Sequence, residues 1–383
     1  MGTPIPVKSF APRWPDGWAN LFERYQMAAL AGGRLIRGKL RPDLDPGGPE
    51  VRRVLSGWPG PSALHTGPEG AEAMLFAGER LRPRWWLHGL LFALTVASVL
   101  VAGGLLAGRE PLTVAWAPLR IGADGAAWAA GVPFATVLLT ILLVHEMGHY
   151  GAARRHRMEV TPPFFIPVPA YLSIVGTLGA FIRLRSPLLG RRPLLDVGVA
   201  GPLAGFVVSA AATVAGFAGS VPVAGAEGLE PAAPYAVSFL GSRIWVGGSL
   251  FLNVAEALVL GDAAASAAVV LSPIALAGWF GLFLTALNLL PLGQLDGGHI
   301  LYALAPRAQP WVSWVALGTL LPLGAWWPGW WVWAALVFLV SRGRMAHPPV
   351  WGERTPLDTR RKLLAWTALA VLVLTFVPQP FVL

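Results

Sequence analysis

Long apolar runs alternate with short polar segments along the chain from Trp85 onward. A helix needs about 20 apolar residues to cross the hydrocarbon of a bilayer. Runs near that length lie at 86–107, 127–152, 196–218, 273–290 and 363–381. Two shorter runs, 310–325 and 328–341, flank a tryptophan-rich turn and fit either two short spans or one re-entrant hairpin. The pattern predicts an α-helical polytopic membrane protein with about six to seven transmembrane segments.

The first 84 residues follow a different pattern, rich in proline, glycine and charge. No apolar stretch of the kind found in cleavable signal peptides follows the start methionine. Residues 21–40 fit a short amphipathic helix at the membrane surface, and residues 69–80 fit a second short helix. The alternative is a disordered tail. We therefore expect an N-terminal cytosolic tail over 1–84 that is partly disordered or interfacial.

Composition excludes an ordinary soluble domain. The chain of 383 residues is 55% hydrophobic and 13% charged, whereas roughly 25% charged residues are typical of soluble domains. Cysteine is absent, so neither disulfides nor cysteine metal ligands are possible. In a membrane protein the net charge of +9 favours loops that meet anionic lipid, and we expect no nucleic-acid partner.

Positive charge predicts the orientation of the spans. Arginine and lysine cluster at 80–84, 154–157, 183–192 and 342–362, whereas 108–126 and 219–267 carry few of them. The positive-inside rule then places the N-terminus in the cytosol. The run 244–260 would reverse everything downstream if it crossed the membrane, so we interpret it as an interfacial helix. The expected location is a prokaryotic plasma membrane.

Three ionisable side chains, His145, Glu146 and His149, lie inside the second long apolar run. Such groups are costly at membrane depth and persist there mainly where they act in a bundle interior. Residues four apart share one face of a helix, so His145 and His149 can bind one metal ion. Two histidines at this spacing around a glutamate form the zinc pattern H-E-x-x-H. The alternative, two satisfied core histidines, does not explain three ionisable groups in hydrocarbon.

A third metal ligand is expected from 288–299, at the end of the fourth long run. His149 precedes Arg154 by five residues, or roughly 7–8 Å of helix, so the site lies toward the cytosolic side. The stretch 288–299 reaches a similar depth, and its proline and glycines break the helix. Asp296 is the predicted third ligand, and His299 is a weaker rival. Asp296 as a helix N-cap is the alternative.

These motifs give the chain a resemblance to the site-2 proteases, which are intramembrane zinc metalloproteases. The matching motifs are H-E-x-x-H at 145–149, N-x-x-P-x-x-x-L-D-G at 288–297 and G-P-L-A-G at 201–205. The segments 162–167 and 176–182 resemble the branch that includes chloroplast and cyanobacterial membrane metalloproteases. The resemblance implies a metalloprotease core with three central helices over 85–306, followed by C-terminal transmembrane segments over 307–383.

The resemblance also implies a reaction, namely hydrolysis of a peptide bond in or beside a transmembrane helix, as in regulated intramembrane proteolysis. Zn²⁺ held by three protein ligands activates water, and Glu146 would serve as general base. Asn288 resembles the family's asparagine near the active site, and we expect it to steady the tetrahedral oxygen. We expect a transmembrane protein as substrate and the lipid bilayer as surroundings. The sequence does not indicate an oligomeric state.

A helical substrate must unwind before its carbonyl groups are accessible. The stretch 175–184 fits a small membrane-associated β element to which an extended substrate adds as a strand. The predicted substrate-binding residues are Gly176, Thr177, Leu178 and Gly179. The alternative is a cytosolic loop over 160–185.

Two other functions stay open at this point. The chain could bind metal without proteolysis, as a metal-binding protein or a metal transporter, although few further intramembrane ligands mark a path. It could also be another membrane metalloprotease with Glu256 as third ligand, but the orientation puts Glu256 on the far side of the membrane.

Overall fold

A computed structural model describes residues 14–30, 32–68, 70–78, 82–116, 119–223, 234–239, 242–261, 268–351 and 355–382. The helices are α1 Pro49–Gly57, α2 Trp85–Leu106, α3 Gly125–Arg155, α4 Arg191–Phe217, α5 Leu250–Leu260, α6 Pro273–Leu289, α7 Asp296–Leu304, α8 Gln309–Leu323, α9 Gly329–Val340 and α10 Thr359–Thr375. The strands are β1 Phe22–Leu30, β2 Gly33–Leu40, β3 Ser62–Gly67, β4 Gly70–Gly78, β5 Leu112–Trp116, β6 Leu119–Ala123, β7 Phe164–Pro167, β8 Thr177–Phe181, β9 Val221–Val223, β10 Tyr235–Phe239, β11 Ser242–Val246, β12 Ala268–Val270 and β13 Phe381–Val382.

The described residues contain three helices long and apolar enough to cross a membrane, namely α2, α3 and α4. They coincide with the first three predicted spans, which are confirmed as helices. The helices α5, α6 and α9 are also apolar, but they are shorter, at 11, 17 and 12 residues. Helix length therefore supports a membrane protein. The number of described helices that are long enough to span is smaller than the six to seven predicted segments.

The catalytic core predicted from sequence corresponds to a packed bundle of α3, α4 and α6, with α2 against α3. Glycine makes this packing close. A Cβ at Gly216 of α4 would lie 2.1 Å from the backbone nitrogen of Ala275 in α6, and one at Gly131 of α3 would lie 2.1 Å from the Leu100 carbonyl oxygen in α2. Small residues at such crossings let helix backbones approach without a side chain between them. The bundle interior is apolar and continuous with α9 through Trp279, Phe280 and Trp330.

The N-terminal residues form an antiparallel sheet in the order β1-β2-β4-β3, packed against α1. Its core includes Leu21, Ile36 and Leu75, and the fully buried Trp58 donates an indole hydrogen bond to the Phe76 carbonyl. The predictions of helices at 21–40 and 69–80 are therefore wrong. The physical reason is the alternation in β2, where every second residue from Ile36 to Leu40 is buried. A packed sheet stands where we expected a partly disordered or interfacial tail.

Two other predictions need adjustment. The run 244–260 begins in strand β11 and becomes the helix α5 only at Leu250. The last long run, 363–381, is helical only to Thr375. Two prolines follow at 378 and 380, and Pro cannot continue the helical hydrogen bonding. The short strand β13 follows these prolines and pairs with β11.

Two sheets lie at opposite ends of the bundle. The β7–β8 hairpin connects α3 to α4, at the end where α3 finishes. The prediction of a strand within 175–184 is confirmed for Thr177–Phe181, so the alternative of a plain loop is wrong. The five-stranded sheet, in the order β13-β11-β10-β12-β9, lies where α4 ends and α6 begins. The bundle thus carries a small β element at each end.

Candidate metal centre

Three potential metal ligands converge on one point in the bundle. His145 and His149 project from α3 one helical turn apart, and Asp296 is the first residue of α7. The two histidine Nε2 atoms lie 3.1 Å apart. The Asp296 Oδ2 atom lies 3.6 Å from Nε2 of His145 and 3.3 Å from Nε2 of His149. The structure therefore brings together the three residues that the sequence proposes as ligands.

A hydrogen bond orients the His149 ring. Its Nδ1 lies 2.7 Å from the Val197 carbonyl oxygen of α4 and donates to it. The lone pair of Nε2 is therefore free and directed toward His145 and Asp296. Second partners of this kind are typical of metal-binding histidines, because they fix both tautomer and ring orientation.

Helix α4 supplies space for both histidine rings. A Cβ at Gly201 would lie 2.1 Å from the His149 Nε2 atom, and one at Gly205 would lie 3.0 Å from the His145 Nδ1 atom. In the sequence, both glycines were evident only as part of the G-P-L-A-G motif at 201–205, which does not indicate contact with the ligands. The packing of α4 against α3 shows that these glycines face the ligands.

Glycines also determine the position of Asp296. A Cβ at Gly297 would lie 1.9 Å from the Leu289 carbonyl oxygen, and one at Gly298 would lie 2.3 Å from the Gly293 carbonyl oxygen. The loop between α6 and α7 therefore folds tightly onto the start of α7. Leu295 occupies the N-cap position of α7. The Asp296 carboxylate faces the histidines, so the N-cap alternative does not describe it.

Glu146 lies beside the ligands and borders a cavity of about 480 Å³. It is buried, and the backbone of Ile182, just after β8, lies next to its carboxylate. The amide Nδ2 of Asn288 lies 3.4 Å from the His145 Nε2 atom and also faces the cavity. The structure therefore brings both predicted catalytic residues to the ligand cluster.

Strand β8 forms one wall of this cavity through Thr177, Leu178 and Gly179. Gly176 has a different position, since it packs against α2 and a Cβ there would lie 2.5 Å from the Ser98 carbonyl oxygen. Its φ of +75° suits the turn into the strand. The opposite wall is apolar and includes Phe280, Trp333 and Phe381. We did not predict the contributions of Trp333 and Phe381 from the sequence.

The two rival ligands lie outside the cluster. The Nδ1 atom of His299 lies 2.8 Å from the Nε2 atom of His347, and His299 is absent from the ligand group. Glu256 lies in α5, near the five-stranded sheet, and accepts a hydrogen bond of 2.6 Å from the Tyr235 hydroxyl. Burial and this carboxylate raise the pKa of Tyr235 above its ordinary value.

The donor set fits zinc. Bonds of about 2.0–2.2 Å to two imidazole nitrogens and one carboxylate oxygen in a tetrahedral site separate the ligand atoms by roughly 3.3–3.5 Å. The observed separations of 3.1, 3.3 and 3.6 Å bracket that range. Three protein ligands leave one position open, which is the pattern of catalytic rather than structural zinc.

Comparison with known proteins agrees with this geometry. Residues 133–313 match the family model of Peptidase family M50. The chain is 34% identical over 254 residues to "Probable zinc metalloprotease EGY1, chloroplastic" of Arabidopsis thaliana, which covers 65% of this chain and 43% of that protein. It is 30% identical over 302 residues to "Probable zinc metalloprotease EGY2, chloroplastic" of the same organism, which covers 78% of this chain and 50% of that protein. No solved structure matches the chain.

The fold and the site define a helical membrane protein with a metallopeptidase-type centre. Residues 133–313 carry a Peptidase family M50 domain, the domain of the site-2 proteases, and the curated relatives that the chain resembles are chloroplast zinc metalloproteases. The predicted family is thereby confirmed, and the names of the relatives agree with the predicted zinc cofactor. The chain spans half or less of the length of these curated relatives.

Proposed function

We propose that this protein is an intramembrane zinc metalloprotease that hydrolyses a peptide bond in or near a transmembrane segment of a membrane-protein substrate. The observation that carries this proposal is the cluster of His145, His149 and Asp296 with Glu146 beside it, at the edge of a cavity of about 480 Å³. A metal transporter would need further ligand groups along a path. Within the described residues, no second cluster of three metal-ligating side chains accompanies this one.

His145, His149 and Asp296 would hold the metal. Zinc in such a site supplies Lewis-acid activation of water and of the scissile carbonyl group. The chain supplies the surroundings in which this chemistry works, because the two buried histidines and the apolar cavity walls limit contact with bulk water and strengthen local electrostatic interactions.

Glu146 is the proposed general base. Its carboxylate would take a proton from the attacking water and pass it to the leaving amine. The neighbouring backbone of Ile182 would help to hold the carboxylate toward the cavity. Asn288 would donate its amide to the substrate oxygen that gains negative charge during attack, since Nδ2 already lies at the edge of the ligand cluster.

Strand β8 is the proposed substrate-binding element. In the described residues it pairs only with β7, so its second edge is free for an added strand. Leu178 is 72% exposed, and Thr177, Leu178 and Gly179 border the cavity. A substrate helix that unwinds and adds to this edge gains backbone hydrogen bonds in exchange for those it loses.

We also propose six to seven transmembrane segments in a prokaryotic plasma membrane, with the active-site end toward the cytosol. Exposed apolar residues on α9 and α10, such as Leu339 and Leu363, support membrane contact for these shorter helices. The proposed parts are an N-terminal unit over 1–84, the protease core over 85–306 and C-terminal segments over 307–383.

The proposal is tested with the full chain purified in detergent. Zinc content and cleavage of several transmembrane substrates are measured for the wild type, Glu146→Gln and Asp296→Asn. We expect Glu146→Gln to keep zinc while cleavage falls at least on the order of 10²–10⁴-fold. Asp296→Asn should lose zinc affinity as well as cleavage.

Glu256→Gln serves as the matched control, because it removes a carboxylate at the far end of the bundle and should leave both readouts unchanged. A wild type without zinc overturns the metal assignment. A wild type with zinc that cleaves none of the substrates, together with full metal retention in Asp296→Asn, overturns the protease proposal.

A further inference from the structure

A basic cavity of about 540 Å³ lies between the N-terminal sheet unit and the end of α3. Its charged walls come from Arg52 and Arg53 of α1 and from Arg155 and Arg157. No carboxylate lines it among the residues that the structure describes, and the other lining residues are His156, Leu55, Ser56, Gly60 and Ser62. The cavity is separate from the metal centre, and the described residues that line it differ from those that line the cavity beside Glu146.

The two sides of this basic cavity are joined by Arg157. Its Nη1 donates to the carbonyl oxygens of Leu55 at 3.2 Å, Ser56 at 2.7 Å and Trp58 at 3.2 Å, all at the end of α1. Arg157 adopts a φ of +57°, which non-glycine residues rarely accept. This contact fixes the N-terminal unit against the helix that carries the histidines.

The remaining guanidinium groups have no ion-pair partner among the described residues. His156 is already engaged, with its Nε2 atom 2.9 Å from the Asp196 carboxylate. Arg52, Arg53 and Arg155 are exposed, and none of the described ion pairs involves them. Several like charges around one concave space repel one another, and a bound anion would relieve that repulsion.

The chemistry of the walls selects the anion. A guanidinium group presents its donors in a planar fork that matches phosphate oxygens, and arginine is favoured where such recognition is needed. The cavity also lies where the long apolar helix α3 ends, which is the level of lipid headgroups if α3 crosses the membrane. Basic pockets beside transmembrane helices commonly bind anionic headgroups.

We propose that this basic cavity binds a phosphate group, supplied by an anionic phospholipid, between α1 and the end of α3. The bound headgroup links the N-terminal unit to the helix of the metal centre. This proposal does not depend on the protease function, and it assigns the N-terminal unit a role in lipid recognition.

The test measures binding to the full-length protein in neutral detergent. The probes are short-chain phosphatidylglycerol, short-chain phosphatidylcholine and inorganic phosphate. We expect phosphatidylglycerol to bind at least about tenfold more tightly than phosphatidylcholine. The double variant Arg52→Gln/Arg53→Gln should weaken that binding by about tenfold or more. Both side chains are exposed, so the variant should fold, and an unchanged circular dichroism spectrum verifies this.

The control is Arg360→Gln/Lys362→Gln, which removes two exposed cations at the start of α10, outside the cavity. It should keep wild-type affinity for phosphatidylglycerol. Equal losses in the two double variants would mean general attraction to positive charge and overturn the site, as would equal affinity for the two lipids. Inorganic phosphate should compete weakly for the cavity, whereas binding tighter than the lipid would overturn the lipid as the source of the phosphate.

Discussion

At the scale of single residues, the metal centre depends on the absence of a side chain at one glycine as much as on its ligands. Gly201 has no side chain where a Cβ would lie 2.1 Å from the His149 Nε2 atom. The helical spacing of His145 and His149 was predictable, because both residues belong to one helix and one period. The role of Gly201 was not, because it depends on how two helices cross.

Gly201→Ala should therefore displace the His149 ring from the other ligands. We expect zinc affinity to fall on the order of 10–100-fold, as for other changes that disturb ligand orientation. The measurement is zinc retention against a competing chelator. Gly151→Ala in α3 is the control, since a Cβ there meets no atom of the described residues within 4 Å. Equal retention in both variants would contradict the role of Gly201.

Trp333 presents a buried polar atom in the wall of the substrate cavity. Its indole nitrogen has no hydrogen-bond partner among the described residues. A buried donor without a partner is costly unless a ligand satisfies it. The proposed substrate offers unwound backbone carbonyl groups at this place.

Trp333→Phe removes the donor while it keeps an aromatic ring. We expect KM for a transmembrane substrate to rise about five- to tenfold, with little loss of stability, because only the complex loses a hydrogen bond. Trp330→Phe provides the contrast, since that indole donates to the Pro378 carbonyl at 2.7 Å and its loss should lower the melting temperature. An unchanged KM for Trp333→Phe would contradict donation to substrate.

At the scale of elements, the loop before α7 depends on a buried side-chain network. Gln309 of α8 is fully buried and donates to Ser313 Oγ and to the Met345 carbonyl, each at 2.9 Å. Ser313 in turn donates to the Pro291 carbonyl at 2.6 Å, within the loop that leads to Asp296. Such a network fixes the loop only if all its members are satisfied.

Gln309→Ala should leave several buried polar groups unpaired. We expect the free energy of unfolding to fall by roughly 2–4 kcal/mol, at about 1–3 kcal/mol per unsatisfied group. Zinc affinity should fall as well, because the loop places Asp296. Chemical unfolding and chelator competition measure the two effects. Gln26→Ala on the exposed strand β1 is the control and should change neither quantity.

The segment that follows α9 contributes a pH-dependent contact. His347 Nδ1 lies 2.6 Å from the Pro348 carbonyl and donates to it, so His347 Nε2 accepts from His299. Burial lowers the pKa of His347. The folded state therefore favours the neutral ring, whereas the unfolded chain protonates near its ordinary pKa of about 6.5.

Stability from this contact is complete above the unfolded pKa and is lost as pH falls through the lower folded pKa. We expect the melting temperature of the wild type to decrease between pH 7 and pH 5, and His347→Gln should reduce the decrease. His65→Gln in β3 is the control. An identical pH dependence in the wild type and His347→Gln would contradict this account.

The difference between predicted and observed elements has a physical cause. Long helices were predictable because they are apolar over lengths that match a bilayer, as in α2, α3 and α4. Short strands carry much weaker signals. The strands β9 and β12 contain three residues each, and their pairing joins segments far apart in the chain. In β2, the alternation at Ile36, Gly38 and Leu40 was present but was masked by the surrounding charge.

At the scale of the whole molecule, the bundle has two distinct ends. The β7–β8 hairpin and the metal centre lie toward one end, and the five-stranded sheet lies at the other. The absence of cysteine in the 383 residues makes the orientation testable. Thr66→Cys lies on the N-terminal sheet, and Val221→Cys lies on β9, where Val221 is 59% exposed.

In sealed vesicles whose outer surface corresponds to the outside of the cell, we expect an impermeant thiol reagent to label Val221→Cys. Thr66→Cys should be labelled only after the vesicles are permeabilised. Complete labelling of both in detergent is the control for accessibility. The reversed pattern would contradict the orientation that we inferred from the arginine and lysine distribution.

The pairing of β13 with β11 has a consequence for biosynthesis. Val246 pairs with Phe381, and Phe381 also borders the cavity beside Glu146. The ribosome therefore delivers all three metal ligands and Glu146 before the residue that completes the cavity wall. A nascent chain therefore contains its metal ligands before it contains the complete cavity wall, and under the proposed function it becomes fully able to bind substrate only after α10 and β13 are in place.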